Sequence, residues 1–158
     1  MNLSFPYRPV PISGAAPPSL PLGTTQRFRP FIPVRLIAPD TRGFRDFVAL
    51  LDTGADDTVF PLDVATMLGL SFVPTSRGAG QIRWRGMPYA IQFCAVEIAI
   101  EDDNHALQWI ATIAFTSAPL PYPLLGQAGF LEFFNQTGRG ADRITVLEPT
   151  NTFPGLSI

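Results

Sequence analysis

The chain has 158 residues, 46% of them apolar, which is enough for one domain with a packed core and too apolar for a disordered chain. Its 11 basic residues are all arginine and stand against 13 acidic ones, so we expect no broad cationic surface for nucleic acid. A single cysteine excludes an internal disulfide, and without a signal-peptide pattern or a membrane-spanning apolar stretch we expect a cytoplasmic protein with no membrane partner.

The start of the chain is rich in proline, glycine and serine. Proline fixes φ and removes a backbone donor, so residues 1–28 are predicted to form an extended or poorly ordered arm. We assign residues 29–150 to one domain and residues 151–158 to a short C-terminal tail.

Apolar segments separated by turn residues predict a mainly β domain. Residues 31–38 and 44–51 predict two strands joined by a turn, the second apolar on both faces and therefore buried. Residues 71–100 predict further strands, residues 101–105 a polar turn, and the alternation in residues 109–115 a returning strand.

Two short helices are predicted within this β pattern. Between Pro61 and Leu70, a proline suited to a first helical position precedes an apolar stripe, and Gly69 can end the helix. Residues 127–134 predict a second short helix after a proline-rich bend.

The segment from Ala49 to Val59 carries the most chemical information. An apolar strand runs into Asp52, which burial at the strand end would partly desolvate. Gly54 permits a sharp turn that brings amides near the carboxylate, and the Thr53 hydroxyl can hold the loop. The pattern predicts a rigid carboxylate presented to a substrate.

This segment resembles the active-site signature of retroviral aspartic proteases over residues 50–59, with Asp-Thr-Gly-Ala at residues 52–55. Residues 124–126, Leu-Leu-Gly, resemble the family's second element, which crosses the active-site loop. Residues 77–81 resemble the glycine-bearing tip of the flap, a hairpin that closes over bound peptide. The three elements occur in the family's order, and the chain resembles single-domain cellular or bacterial retropepsin-like proteins more than it resembles a virion enzyme.

The resemblance implies a closed, mainly β acid-protease barrel and aspartic endopeptidase activity. Asp-Thr-Gly occurs once in the sequence, so the resemblance further implies a homodimer in which two copies of Asp52 form the catalytic pair. Two adjacent carboxylates share one proton and activate a water that attacks the peptide bond. This chemistry needs no metal and no cofactor, and the implied partners are a second copy and a peptide substrate.

The resemblance also assigns roles around Asp52. Thr53, Gly54 and Gly126 would support the two active-site loops, Thr53 through a hydroxyl contact across the dimer axis. The residues that would meet the substrate are Ala55, Asp56 and Asp57 in the loop and Gly78, Ala79 and Gly80 at the flap tip.

Gln127 departs from the retroviral pattern. There an arginine pairs with the carboxylate that corresponds to Asp56, so this dimer-supporting ion pair is absent or replaced. The change favours an alternative function, a peptide-binding module of the same fold that cleaves weakly or not at all. A structural or assembly role without a peptide cleft is a third possibility.

Other interpretations of the polar residues carry less weight. Asp-Thr-Gly alone is also typical of a strand-to-turn corner. As a calcium loop, residues 52–63 would need glycine where Asp57 stands and glutamate where Asp63 stands. Cys94 lies among apolar strand residues and is predicted to be core, while His105 is predicted to be a solvated turn residue.

Overall fold

A computed structural model describes residues 1–74 and 80–158 of the chain. This part of the chain is mainly β, as predicted, and no helix in it is long and apolar enough to cross a membrane. The strands are β1 (Leu3–Pro6), β2 (Arg8–Pro11), β3 (Gln26–Arg29), β4 (Phe31–Ile37), β5 (Phe44–Leu51), β6 (Val59–Pro61), β7 (Gln81–Trp84), β8 (Met87–Glu101), β9 (Ala106–Thr116), β10 (Leu124–Leu125), β11 (Phe134–Arg139), β12 (Ile144–Pro149) and β13 (Leu156–Ser157). One α-helix, α1, spans Leu62–Leu68 in the described ranges.

The largest sheet has eight strands in the order β13-β9-β6-β10-β5-β4-β8-β7. The long strand β8 also pairs with β9. The strand pairings therefore lead from β9 through β6, β10, β5, β4 and β8 back to β9. Strands β1, β12 and β11 form a second sheet, and β2 and β3 form a separate hairpin.

The main core contains residues from both larger sheets and from α1, and it is rich in aromatic rings. Trp109 on β9 is 2% exposed and its indole N–H donates to the carbonyl of Gly129 at 3.2 Å. Its ring is surrounded at centroid distances of 5.5 to 6.5 Å by four phenylalanines, which are Phe130, Phe133, Phe134 and Phe153. The last of these lies in the predicted C-terminal tail, which therefore packs on the core.

The N-terminal arm is extended, but its first strand is part of the packed structure. β1 pairs with β12 and buries Leu3 and Phe5 in the main core. Asp102 in the β8–β9 turn accepts the Ser4 N–H at 2.8 Å and so fixes the same strand. The proline content of residues 1–28 did not indicate this packing, and the domain boundary at residue 28 stays a prediction.

The first predicted helix is confirmed and the second is wrong. α1 ends at Gly69, which has a left-handed φ of 65° and donates its N–H back to the helix carbonyls. Residues 127–134 contain only a 3-10 turn, Leu131–Phe133. The N–H groups of Gln127 and Ala128 bond to the loop after β5 rather than to a helix, and Gly129 has a φ of 85°.

The predicted strands at residues 31–38 and 44–51 correspond to β4 and β5. The two strands pair antiparallel, with Phe31 opposite Leu50 at one end and Ile37 opposite Phe44 at the other. Burial of β5 on both faces is wrong, because its first half is mostly exposed and only the end approaching Asp52 is buried. The alternation predicted for residues 109–115 is confirmed up to Ile113, whereas Ala114, predicted on the opposite face, is buried like its neighbours at the end of β9.

Candidate active site

Asp52 follows the last residue of β5 and is held by the backbone around it. Its N–H donates to the Leu125 carbonyl at 3.0 Å, and its Oδ1 accepts the Gly54 N–H at 3.0 Å. The Ala55 N–H donates to the Asp52 carbonyl at 3.2 Å and closes the turn. The side chain is half-buried, so the carboxylate has a defined direction and stays open to solvent on one side.

The short strand β10 lies beside the end of β5. Leu124 and Leu125 pair in parallel with Leu50 and Leu51, while Leu124 also pairs antiparallel with Val59 on β6. β10 therefore lies between the two strands that enter and leave the Asp52 loop, and it fixes both ends of that loop.

Gly126 follows β10 at a point where a side chain does not fit. A Cβ there would lie 2.6 Å from the carbonyl carbon of Asp57 and 2.8 Å from the Ala55 oxygen, closer still to the Asp57 oxygen. The Gly126 N–H donates to Thr58 Oγ1 at 3.2 Å, and Thr58 is completely buried. This close backbone approach requires glycine and connects β10 to the far end of the loop.

Gln127 makes the next contacts with the loop. Its N–H donates to the Ala55 carbonyl at 2.9 Å and its side-chain amide donates to the Thr53 carbonyl at 3.3 Å. Across residues 1–74 and 80–158, no cation lies within 4.0 Å of the Asp56 carboxylate. Where the retroviral pattern has an ion pair, this chain has a neutral hydrogen bond to the loop backbone.

A cleft of about 320 Å³ lies between this loop and the β7–β8 hairpin. Its lining includes Asp52, Gly54, Ala55, Asp56 and Asp57 on the loop and the strand residues Gln81, Ile82, Arg83 and Trp84 on the hairpin. The predicted carboxylate and the predicted loop residues therefore share one cavity with a hairpin above it.

The hairpin turns at Arg85 and Gly86, which connect the paired residues Trp84 and Met87. Both turn residues have positive φ values, 49° and 81°. Positive φ at both central positions defines a type I′ turn, the form that fits the twist of a two-residue hairpin.

The predicted flap tip at Gly78, Ala79 and Gly80 is not where this turn lies. Gly78 and Ala79 are outside the described residues. Gly80 precedes β7 at the open end of the hairpin, where its carbonyl accepts the Ile91 N–H at 3.1 Å. A Cβ on Gly80 would lie 2.7 Å from the Ile91 side chain, so this glycine permits close packing at the base of the hairpin.

The loop concentrates negative charge in the cleft. Burial raises the pKa of the Asp57 carboxyl, and the neighbouring Asp56 charge raises it further. No group of three or more histidine, cysteine or acidic residues in the described ranges is arranged to hold a metal ion. The calcium-loop alternative therefore finds no ligand set in this part of the chain.

The remaining polar predictions lie away from the cleft. Cys94 is completely buried in the core, as predicted, and burial raises the pKa of its thiol. The polar turn predicted at residues 101–105 is confirmed. Its Asp102 carboxylate accepts hydrogen bonds from the N–H groups of Asn104 and His105 within the turn and from the N–H of Ser4 on β1.

Thr58, Trp84 and the hairpin turn belong to the candidate site but were not predicted from the sequence. Thr58, two residues beyond Asp56, binds Gly126, and only its place directly after the acidic pair hinted at a role. Trp84 lines the cleft, and the Arg-Gly dipeptide at residues 85–86, flanked by alternating residues, was the available signal for the hairpin turn. Thr53 follows Asp52 in the loop and is exposed, and its contact across a dimer axis stays a prediction.

No protein-family model and no curated protein matches the chain. Among solved structures, the chain is similar to EIAV protease complexed with the inhibitor HBY-793, with 22% sequence identity and a TM-score of 0.43. The match covers 63% of this chain and 82% of that chain.

Proposed function

We propose that this chain is an aspartic endopeptidase that acts as a homodimer, with Asp52 from each copy forming one catalytic pair. A single observation carries the proposal. The Asp52 carboxylate stands at a strand end, is oriented by the Gly54 N–H, and faces a cleft beneath a hairpin. A rigid carboxylate that is open on one side is what a general base requires.

The strand pairings support the more specific inference of an acid-protease barrel. β8 and β9 close the succession of pairings, and β10 enters this ring between β5 and β6, next to Asp52. Gly126, directly after β10, lies against the loop backbone, and this close approach supports the supporting role proposed for it.

The proposed mechanism follows from the electrostatics of two neighbouring carboxylates. Like charges a few ångströms apart cannot both ionise readily, so the two copies of Asp52 share a proton. The ionised carboxylate takes a proton from a water held between them, and this water attacks the peptide carbonyl carbon. The protonated carboxyl donates a hydrogen bond to the carbonyl oxygen, and a proton then passes to the leaving nitrogen as the C–N bond breaks. The pair titrates as a unit.

The neighbours of Asp52 have supporting roles in this proposal. The exposed Thr53 hydroxyl is free to bond across the dimer axis, while Gln127 holds the Thr53 backbone from within the same copy. Ala55, Asp56 and Asp57 contact the bound peptide from the loop, and the β7–β8 hairpin covers it.

Substitution of the proposed catalytic group tests the activity. Purified protein is incubated with a diverse peptide mixture, with and without a statine-type inhibitor that mimics the tetrahedral intermediate. Asp52→Asn should abolish cleavage while the thermal midpoint stays close to that of the parent, and Asp103→Asn on the distant β8–β9 turn is the matched control. Full cleavage by Asp52→Asn would refute the mechanism. Activity should peak under mildly acidic conditions, and a flat profile from about pH 4 to pH 9 would contradict a shared proton.

The alternative is a peptide-binding module that does not cleave. Its support is the neutral Gln127 contact, which leaves Asp56 without a cation in the described part of the chain. Sedimentation at micromolar concentration separates the two, because a strict monomer holds one Asp52 and cannot form the pair. A dimer with inhibitor-sensitive cleavage supports the peptidase, and a monomer that binds peptide without cleaving it supports the module.

A further inference from the structure

The β7–β8 hairpin carries a row of apolar side chains on one face. Side chains alternate along a strand, and residues directly opposite each other share a face. Ile82 and Trp84 on β7 therefore share a face with their partners Tyr89 and Met87 on β8. Ile82 packs against the small cluster that contains Ile91, so this face is the one directed toward the body of the protein.

The row continues beyond the packed cluster. Trp84 is half-buried and lines the cleft, and Met87 beside it is 60% exposed. The Arg85 guanidinium lies 5.8 Å from the centre of the Trp84 ring. Arg83 is exposed, alternates with these residues along β7 and also lines the cleft. The hairpin wall of the cleft thus presents the large apolar side chains of Ile82 and Trp84 beside the polar Gln81 and Arg83.

The wall below the cleft has the opposite chemistry. Asp52, Asp56 and Asp57 all line it, and within residues 1–74 and 80–158 none of them has a cation within 4.0 Å. Asp56 is exposed and Asp57 is half-buried. A ligand that brings a positive charge to this wall relieves the repulsion between the two neighbouring carboxylates.

We propose that the cleft selects extended peptides that combine a bulky apolar side chain with an arginine or lysine. The apolar side chain contacts Trp84, and the cation lies against Asp56 and Asp57. An extended chain presents successive side chains to opposite sides, so the two kinds of residue occupy adjacent positions. This specificity rests on the proposed peptidase function and names its substrate class, with Trp84, Asp56 and Asp57 as specificity-determining residues.

Binding to a full-length Asp52→Asn variant tests this specificity without cleavage. Fluorescently labelled twelve-residue peptides are compared by anisotropy in pairs that differ only in arginine against citrulline, its neutral isostere. The arginine peptide should bind about three- to fivefold more tightly, as expected for one solvent-accessible charge contact, and the ratio should fall with added salt. Adding Asp56→Asn and Asp57→Asn should bring the ratio close to one, whereas adding Asp103→Asn should leave it unchanged.

The apolar wall is tested with a second pair of peptides, in which leucine is compared with alanine next to the arginine. The leucine peptide should bind about tenfold more tightly than the alanine peptide to the Asp52→Asn variant, and adding Trp84→Ala should remove most of this preference. A thermal melt confirms that Trp84→Ala is folded. If Trp84→Ala does not fold, the ratio of the affinities of the arginine and citrulline peptides for the Asp52→Asn variant still decides the proposal.

Equal affinity for arginine and citrulline peptides would overturn the proposal, as would discrimination that survives loss of both loop carboxylates. Absence of peptide binding would overturn it as well. The peptidase proposal is judged by a separate measurement, which is peptide cleavage by the protein with Asp52 intact. A peptidase that cleaves charged and neutral peptides equally well would retain the function and lose this specificity.

Discussion

Gly126→Ala is the most discriminating perturbation of the candidate site, because the space for a side chain there is occupied by backbone. The new Cβ would lie 2.6 Å from the Asp57 carbonyl carbon and 2.8 Å from the Ala55 oxygen. Backbone atoms within two hydrogen-bonded segments cannot move aside as the end of a flexible side chain can. The loop and β10 must therefore separate, which also lengthens the bond from the Gly126 N–H to Thr58.

Two costs contribute to the expected loss of stability. Overpacking a filled site costs about 1–3 kcal/mol. Leaving a buried donor and acceptor poorly paired costs about 1–3 kcal/mol more. Both costs arise from the same separation of the loop and β10, so they do not add in full. We expect a total loss of roughly 2–5 kcal/mol, a large part of the unfolding free energy of about 5–15 kcal/mol that is typical of a folded domain. For a chain of this size the thermal midpoint should fall by roughly 5–15 °C.

The chain provides a matched control in Gly140→Ala. A Cβ at Gly140 meets nothing within 4 Å, and its φ is not in the left-handed region. This substitution should be neutral or stabilising by up to about 1 kcal/mol, through lower entropy of the unfolded chain. Urea unfolding followed by circular dichroism measures both variants, and peptide cleavage should fall with Gly126→Ala alone.

A Gly126→Ala variant as stable as Gly140→Ala would refute the close approach of β10 to the loop. Normal stability combined with lost cleavage would also contradict the reasoning, because the same steric clash is expected to affect both properties.

Three further predictions concern the residues that hold the site and the chain ends. Thr58→Val should cost about 1–3 kcal/mol, more than Thr58→Ser, because valine leaves a buried N–H without its acceptor; urea midpoints of the two variants decide this. Burial alone would raise the pKa of Asp102, but backbone N–H donors outweigh it and lower that pKa. Its stabilisation is therefore present above the unfolded value of about 3.9 and lost as pH falls through the lowered folded pKa. Asp102→Asn should cost roughly 1–2 kcal/mol at pH 7, and this cost should shrink as the pH falls below the unfolded value, whereas Asp103→Asn should leave the stability unchanged. A pH-independent difference would contradict the assignment. Phe153→Ala should cost about 1–3 kcal/mol, more than Phe153→Leu, and should speed proteolysis of the C-terminal tail.

Local patterns predicted the mainly β composition, α1 and the position of Asp52, because each depends on residues close in sequence. Alternation is a property of a strand, and a proline before and a glycine after an apolar stripe suffice to limit a helix. The second helix failed for a long-range reason. The amides at residues 127 and 128 bond to carbonyls some 70 residues away, and this contact is invisible in their own segment.

A glycine can have more than one structural role. Glycines at residues 78 and 80 suggested the flap tip, and Gly80, which the structure describes, stands beside Ile91 where a side chain would not fit. The turn lies at residues 85–86, where arginine adopts a positive φ. A glycine signals either a turn or a close approach, and pairing partners are needed to tell them apart. The packing of β1 on β12 likewise depends on residues at opposite ends of the chain.

The continuity of β8 has a mechanical consequence. Residues 87–90 pair with β7 alone, and from Ile91 onward the same strand is held by β9 in the core. We therefore expect the hairpin to bend, if it moves, at Ile91, where the four residues before it extend roughly 13 Å. The distance that the hairpin can move while β8 and β9 stay paired would limit the thickness of a ligand that enters the cleft. A substitution that stiffens the backbone at Ile91 should therefore slow both binding and release.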